Sequence, residues 1–178
     1  MIQEIYKKVL QSKEFNDYSK QSPKSYLVHF LNMSEKPDTW FVGYFEPQKE
    51  SMTSFVVDND SIALQKEGEV FRETKEKISQ LSLDDVKKDF EEAKMSAEKF
   101  RLQKYPKELP LQTIYVLQNL KDFGQVWNVT VFSRTFKTVN MKFDAKTGEI
   151  KKHDVAKLFE FDSGDAKEVN KDQADYIG

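Results

Sequence analysis

Apolar and polar residues follow first a helical pattern and then a strand pattern along the chain. Between residues 2 and 18, apolar side chains recur at spacings of three and four, which predicts a helix that ends before Pro23. Four short apolar segments follow, each bounded by polar or turn-forming residues, at 26–31, 40–45, 52–57 and 62–64. This part of the chain is therefore predicted to form one helix and an antiparallel sheet of four strands.

The same order of elements begins again after residue 80. Ser82 followed by Asp85 is an acidic variant of a capping box, and it predicts the start of a second helix over residues 82–104. Pro106 and Pro110 end this helix. Four further strands are predicted at 111–117, 126–132, 139–143 and 149–153.

The two halves of the chain match each other at an offset of 87 residues. Residues 18–45 align with residues 105–132 without gaps and share seven identical residues, where average composition would give about two. The identities include prolines that end the predicted helices and tryptophans at inward strand positions (Pro23 with Pro110, Trp40 with Trp127). The match predicts an internal duplication, and the alternative is two unrelated stretches that share a hairpin pattern.

The second half, from about Ser82 to Phe161, resembles a PepSY-like domain. The resemblance is carried by a helix at 95–100 that leads into Tyr105-Pro106, a strand at 127–131, and a hairpin at 141–150 with the turn Asp-x-x-Thr-Gly. In this turn Asp144 can accept hydrogen bonds from the backbone, and Gly148 can adopt a positive φ at little cost. The first half matches more weakly, because its turn at 58–61 contains no glycine.

The resemblance implies a cystatin-like fold of the α+β class, in which a long helix packs on an antiparallel β-sheet. Together with the duplication, it predicts two such units in tandem. The first repeat covers residues 1–78, the second covers residues 79–163, and a polar C-terminal tail covers residues 164–178. The family also implies a non-catalytic role, often outside the cytoplasm and sometimes in restraining peptidases.

Composition and charge narrow the range of functions. The 178 residues include 28 Lys and Arg against 30 Asp and Glu, a net charge of −2, and the two signs are interspersed. We therefore expect no nucleic-acid partner, since no basic stripe is present to neutralise phosphates. The chain contains no cysteine, which excludes disulfides, thiolate nucleophiles and zinc–thiolate sites.

The histidines do not indicate a catalytic or metal site. His29 and His153 are the only two, and neither has a histidine at the equivalent position of the other half. We interpret them as surface or strand-edge residues, and we predict no cofactor and no metal. No apolar run reaches the length of a membrane span or a signal peptide. We therefore expect no membrane span and a cytoplasmic protein, or an extracytoplasmic one if a leader has been removed.

Aromatic residues on the second face of the predicted sheets form the candidate site. If Trp40 and Trp127 face the helices, then Phe41, Phe45 and Phe132 point the opposite way. A sheet covered by helices on one side would leave these large apolar groups exposed. Either the two sheets pack on each other or on a second molecule, or this face forms a groove for a peptide or an apolar ligand, with Arg134 and Phe136 at its rim.

We predict a protein without enzymatic activity that acts as a protein-binding or regulatory module; the resemblance implies restraint of a peptidase as one such role, and the partner itself stays open. Two alternatives stay open. One is a small-molecule-binding protein or enzyme that uses a cystatin-like sheet as a pocket. The other is a structural protein that self-associates, for example as a homodimer, through exposed sheet edges.

Overall fold

Eight strands form one continuous antiparallel sheet in the computed structural model, which describes residues 1–69 and 78–158. Their order across the sheet is β4-β3-β2-β1-β5-β6-β7-β8. The strands are β1 Tyr26–Met33, β2 Lys36–Glu46, β3 Ser51–Asp58, β4 Ser61–Glu69, β5 Pro110–Leu120, β6 Gly124–Ser133, β7 Lys137–Asp144 and β8 Ile150–Lys157. Each predicted strand is present, and most extend beyond the predicted bounds. The predicted tail over 164–178 lies outside the described residues.

The prediction of two tandem cystatin-like or PepSY-like α+β units, each with a long helix on its own sheet, is wrong. The first strands of the two halves, β1 and β5, pair with each other and join all eight strands into one sheet-rich fold. Two separate sheets would each leave a strand edge unpaired, whereas this pairing satisfies backbone N–H and C=O groups of both strands. A period-two pattern indicates the face that a residue takes, but not which strand lies beside it.

The pairing of β1 with β5 is symmetric about Phe30 and Leu117, which lie opposite each other across the two strands. These two residues are equivalent at the offset of 87. On either side of these two residues, His29 pairs with Gln118 and Leu31 pairs with Val116. At the offset of 87, His29 is equivalent to Val116 and Leu31 to Gln118, so each of these two pairs is the equivalent of the other. The register is therefore that of an approximate two-fold arrangement of the two halves.

The helical segment near the amino end consists of two short helices rather than one. Helix α1 covers Ile2–Gln11 and helix α2 covers Lys13–Gln21. Between them Ser12 has an extended backbone, and its Oγ accepts a hydrogen bond from the backbone N–H of Phe15 at 3.1 Å. Ser12 is therefore the N-cap of the second helix, and the predicted single helix over 2–18 is interrupted there.

The third helix begins later than predicted. Only a short 3₁₀ helix occupies Leu83–Asp85, whereas helix α3 covers Phe90–Lys104. Asp89 and Glu92 form the capping box of this helix: the Asp89 backbone N–H donates to Glu92 Oε2 at 3.1 Å. The sequence contains two capping-box patterns that begin seven residues apart, at Ser82 and at Asp89. The helix uses the second pattern, so the prediction that it begins at residue 82 is wrong.

One hydrophobic core lies between the helices and one face of the sheet. Phe90 of α3 joins the two halves, because its ring lies 4.8 Å from that of Trp40 and 5.8 Å from that of Trp127. Phe30, Phe55, Leu117 and Trp127 are among its fully buried side chains. Each such side chain contributes about 1.5–3 kcal/mol of transfer free energy. The halves therefore share a core and do not bury separate ones.

Candidate interaction surface on the helix-free face of the sheet

The second face of the sheet carries an apolar band across its middle. In the described residues no helix lies on this face, which we call the helix-free face. Val56, Phe41, Leu31 and Val116 lie side by side on β3, β2, β1 and β5, and Met33 lies beside Ile114 on the next rung. All six side chains are half-buried. We call these six residues the central apolar stripe.

Strand alternation explains why the stripe faces away from the helices. On β2, Trp40 and Val42 enter the core, so Phe41 between them takes the other face. On β5, Tyr115 and Leu117 enter the core and Val116 takes the other face. Strands β1 and β5 are apolar on both faces, which is the pattern of central strands.

A depression of about 580 Å³ lies at one end of the stripe, beside Phe41 and Val56. Its rim carries two exposed carboxylates, Asp38 and Asp58, and one lysine, Lys36. Among the side chains of residues 1–65 and 78–158, neither carboxylate has an ion-pair partner. This end of the stripe is therefore weakly acidic.

His29 lies on the opposite side of the stripe. It is half-buried on the central strand β1, not at a strand edge as predicted, and it borders a second depression of about 290 Å³ with Met52 and Gln118. Its ring lies over Gly43 of β2: a Cβ atom built at Gly43 would be only 2.2 Å from the His29 Cε1 atom. The absence of a side chain at Gly43 therefore allows the imidazole to lie flat against the sheet.

His153 is on the edge strand β8, but its ring faces helix α3. Its Nδ1 atom is 2.6 Å from the Tyr105 hydroxyl oxygen, and its ring is 4.9 Å from that of Phe100. The two histidines therefore lie on opposite faces of the sheet. No group of three His, Asp or Glu side chains in the described part of the chain could hold a metal ion.

The predicted site residues occupy three different places. Phe41 lies in the stripe. Phe45 shares its face but is only 3 % exposed, with its ring 5.8 Å from that of Tyr26. Phe132 is half-buried on the same face, but β1 and β5 separate its strand from that of Phe41. Arg134 and Phe136 are exposed in the β6–β7 turn and do not border the stripe.

The sequence prediction missed the stripe residues on β1 and β5, namely Leu31, Met33, Ile114 and Val116. These four come together only because β1 pairs with β5. The available signal was that both strands are apolar on both faces, which indicates central strands of a sheet.

The helix-free face of the second half carries a hydrogen-bonded polar ladder. The Asn140 side-chain amide donates to Asn128 Oδ1 at 2.8 Å and to Thr130 Oγ1 at 2.9 Å. The Lys142 ammonium donates to Asn140 Oδ1 and lies 5.9 Å from the centre of the Phe123 ring. Burial lowers the pKa of Lys142 below its ordinary value, partly offset by the charge of Asp154. The polar groups of this region are satisfied within the chain.

Comparison with known proteins supports the fold but gives no family. No protein-family model matches the chain, and no curated protein matches it. The crystal structure of a proposed lipoprotein from Clostridium difficile 630 is similar, with a TM-score of 0.52 and 12 % sequence identity. The match covers 80 % of this chain and 90 % of that protein. At this identity the similarity concerns the fold alone.

No helix within residues 1–69 and 78–158 combines the length and the apolar composition needed to cross a bilayer.

Proposed function

We propose that this protein is a non-catalytic protein-binding module that acts through the central apolar stripe. The observation that carries the proposal is the continuity of six half-buried apolar side chains over four neighbouring strands, on a face where no described helix lies. An apolar patch of this kind on a sheet is typical of an interaction surface. The polar ladder on the same face contrasts with the stripe, because its groups already have partners within the chain.

The shape of the stripe favours a protein partner over a small molecule. A ligand site for a small molecule is usually a concave pocket that encloses most of the ligand. The stripe instead follows the surface of a sheet, and the depressions of about 580 Å³ and 290 Å³ border it at its sides. A partner that spans it needs several apolar side chains in a row.

The carboxylates at one end of the stripe favour a partner with a positive charge at that point. Asp38 and Asp58 border the depression beside Phe41 and have no ion-pair partner among the described residues. A basic side chain next to apolar ones would pair with them at the rim, where such pairs contribute mainly to specificity and association rate. We therefore propose an apolar protein segment that carries a lysine or arginine. The resemblance of the second half to PepSY-like domains makes a peptidase the first partner to test.

We also propose that the chain arose by duplication. The seven identities at an offset of 87 and the symmetric pairing about Phe30 and Leu117 both support this origin. In such a history the helix-free faces of the equivalent strands β2 and β6 diverged, since β2 carries Phe41 where β6 carries Asn128.

An NMR titration of the isotope-labelled protein tests the binding proposal. The probes are two extended peptides, one alternating valine with lysine and one alternating valine with glutamate. We expect the lysine peptide to shift amide signals of β1, β2, β3 and β5. Val116→Thr, which is nearly isosteric, should weaken that binding, and the glutamate peptide should bind less well because of Asp38 and Asp58.

Thr138→Val is the matched control, since Thr138 lies on the same face but outside the stripe. It should leave the titration unchanged. The proposal fails if neither peptide shifts these strands, or if Val116→Thr has no more effect than the control. If sedimentation shows a concentration-dependent dimer that Val116→Thr dissociates, the occupant of the stripe is a second copy of this chain, and the proposed partner is wrong.

A further inference from the structure

A second exposed apolar surface lies at one end of the second half, next to the loop that follows helix α3. Backbone hydrogen bonds bring three chain segments together there. The Arg134 N–H donates to the Leu109 carbonyl at 2.9 Å, and the Leu158 N–H donates to the Phe136 carbonyl at 2.9 Å. The start of β5, the β6–β7 turn and the end of β8 therefore meet. We call the four large apolar residues of this end, Leu109, Leu111, Phe136 and Leu158, the apolar tip.

The side chains of the apolar tip are unusually exposed. Leu109 is 50 % exposed, Leu111 is 59 % exposed and Phe136 is 65 % exposed. Single exposed apolar residues are common on protein surfaces, but a contiguous group of them usually marks a contact with a protein or a membrane. The four residues of the apolar tip are therefore interpreted together, as one contact surface.

The backbone of Phe136 is held in a conformation that its side chain disfavours. Its φ is +57°, in the left-handed region that glycine or asparagine usually occupies in a three-residue hairpin turn. A buried carboxylate holds this turn: Glu108 accepts hydrogen bonds from Ser133 Oγ at 2.7 Å and from Lys137 Nζ at 3.0 Å, and a third from the Thr135 hydroxyl. The aromatic ring is thereby presented to solvent at a fixed point.

The charge around the apolar tip is positive. Lys107, Arg134 and Lys157 are exposed beside it, and none of the three forms an ion pair within the part of the chain that the structure describes. The nearest carboxylate in sequence, that of Glu108, is buried and paired with Lys137. The tip therefore combines exposed apolar side chains with unpaired cations.

We infer that the apolar tip docks on an anionic lipid surface, with Phe136 and the leucines entering the headgroup region and Lys107, Arg134 and Lys157 contacting lipid phosphates. Charge complementarity with anionic lipid supports this occupant. The tip is the end of a hairpin and not a groove, and lipid imposes no complementary shape on a protruding group. A protein partner would need a matching pocket for Phe136. The inference uses none of the stripe residues and is independent of the proposed function.

Vesicle co-sedimentation of the full chain tests this inference. The probes are vesicles of phosphatidylcholine alone and vesicles of phosphatidylcholine mixed with phosphatidylglycerol. We expect binding to the mixed vesicles, and we expect it to weaken as salt is added. Phe136→Asn should weaken partition about tenfold, the effect of removing one apolar side chain from the lipid. Arg134→Gln should reduce the salt dependence.

Stability measurements separate docking from a role in folding. Asparagine tolerates a positive φ, so Phe136→Asn should leave the free energy of unfolding unchanged or raise it. The matched control is Glu50→Asn, because Glu50 has φ +47° in the equivalent β2–β3 turn of the first half. This variant should bind vesicles as the wild type does.

Several outcomes would overturn the inference. One is an absence of binding to the mixed vesicles by the folded protein. Another is binding that Phe136→Asn does not weaken. A third is a large loss of stability in Phe136→Asn, which would mean that the ring packs within the chain. If a soluble acidic peptide binds at the tip and the mixed vesicles do not, the partner is a protein and the lipid assignment is wrong.

Discussion

The helix-free face of the sheet differs sharply between β2 and β6, which are equivalent strands of the two halves. On β2 of the first half this face carries Phe41 and Gly43, whereas the equivalent positions on β6 carry Asn128 and Thr130. The side chains that face the core are more alike: Trp40 and Val42 correspond to the identical residues Trp127 and Val129. The shared core constrains the inward side chains, and the other face has changed without loss of the fold. Divergence on that face is therefore more informative about function than similarity in the core.

The β2–β3 turn and the equivalent β6–β7 turn also differ between the two halves. In the first half, the residue with positive φ is the charged Glu50. In the second half it is the exposed aromatic Phe136. At this position the β2–β3 turn is thus charged, and the β6–β7 turn is apolar.

Among the equivalent residues of the two halves, Phe45 and Phe132 should differ most in the stability that is lost when each is replaced by alanine. Phe45 is 3 % exposed, so Phe45→Ala should lower the free energy of unfolding by about 3–5 kcal/mol. Phe132 is only half-buried, so Phe132→Ala should cost clearly less. Urea denaturation of the two variants measures both values. Equal losses would mean that the two positions are buried alike, and the contrast between the halves would not hold there.

The polar ladder should be sensitive to loss of its central member. Asn140 donates two hydrogen bonds and accepts one from Lys142, so Asn140→Ala should lower the free energy of unfolding by about 1–3 kcal/mol. By contrast, Phe41→Thr in the stripe should cost less, because Phe41 is already half-exposed. Thermal unfolding of both variants tests this order. The reverse order would indicate that the stripe is covered within the free chain.

Acid should lower the free energy of unfolding by protonating Glu108. Hydrogen bonds from Thr135 and Ser133, together with the ion pair with Lys137, lower the pKa of Glu108 to about 2. A carboxyl whose pKa is lower in the folded than in the unfolded state stabilises the fold above its unfolded pKa, and this stabilisation is lost as the pH falls towards 2. We expect Glu108→Gln to be less stable than the wild type at neutral pH, with a difference that narrows in acid. Urea unfolding at neutral and acidic pH measures this difference, and a constant difference would contradict the assignment.

The smallest effect is expected at the strained turn of the first half. Glu50 has a positive φ and an exposed side chain, so Glu50→Gly should raise the free energy of unfolding by less than about 1 kcal/mol. Differential scanning calorimetry can resolve the corresponding rise in Tm. A fall in Tm would show that the Glu50 side chain stabilises the turn in another way.

Strands were predicted well because their signals are local. Each predicted strand is present, since turn residues and apolar runs a few residues long define it. Helix starts were predicted less well: two capping sequences compete before α3, and the structure uses the one at Asp89. The interruption at Ser12 has only a weak signal, because a serine within an amphipathic pattern is usually tolerated.

The candidate site could be predicted only in part. Alternation correctly assigned Phe41 and Phe132 to the face opposite Trp40 and Trp127. It gave no means of knowing that Phe45 is almost fully buried, because residues distant in sequence decide that burial. Nor could it show that Arg134 and Phe136 lie beside Leu109 and Leu158 and outside the stripe.

The sequence by itself determined the strands, the turns and the face that most side chains take, because these depend on residues within a few positions of one another. The tertiary structure alone decided that β1 pairs with β5 and that Phe90 packs between Trp40 and Trp127. Both contacts join residues more than 30 positions apart. Their free energy comes from satisfying a strand edge and burying aromatic surface, and neither leaves a periodic signal in the chain. These contacts turn two similar halves into one sheet and place the stripe across their junction.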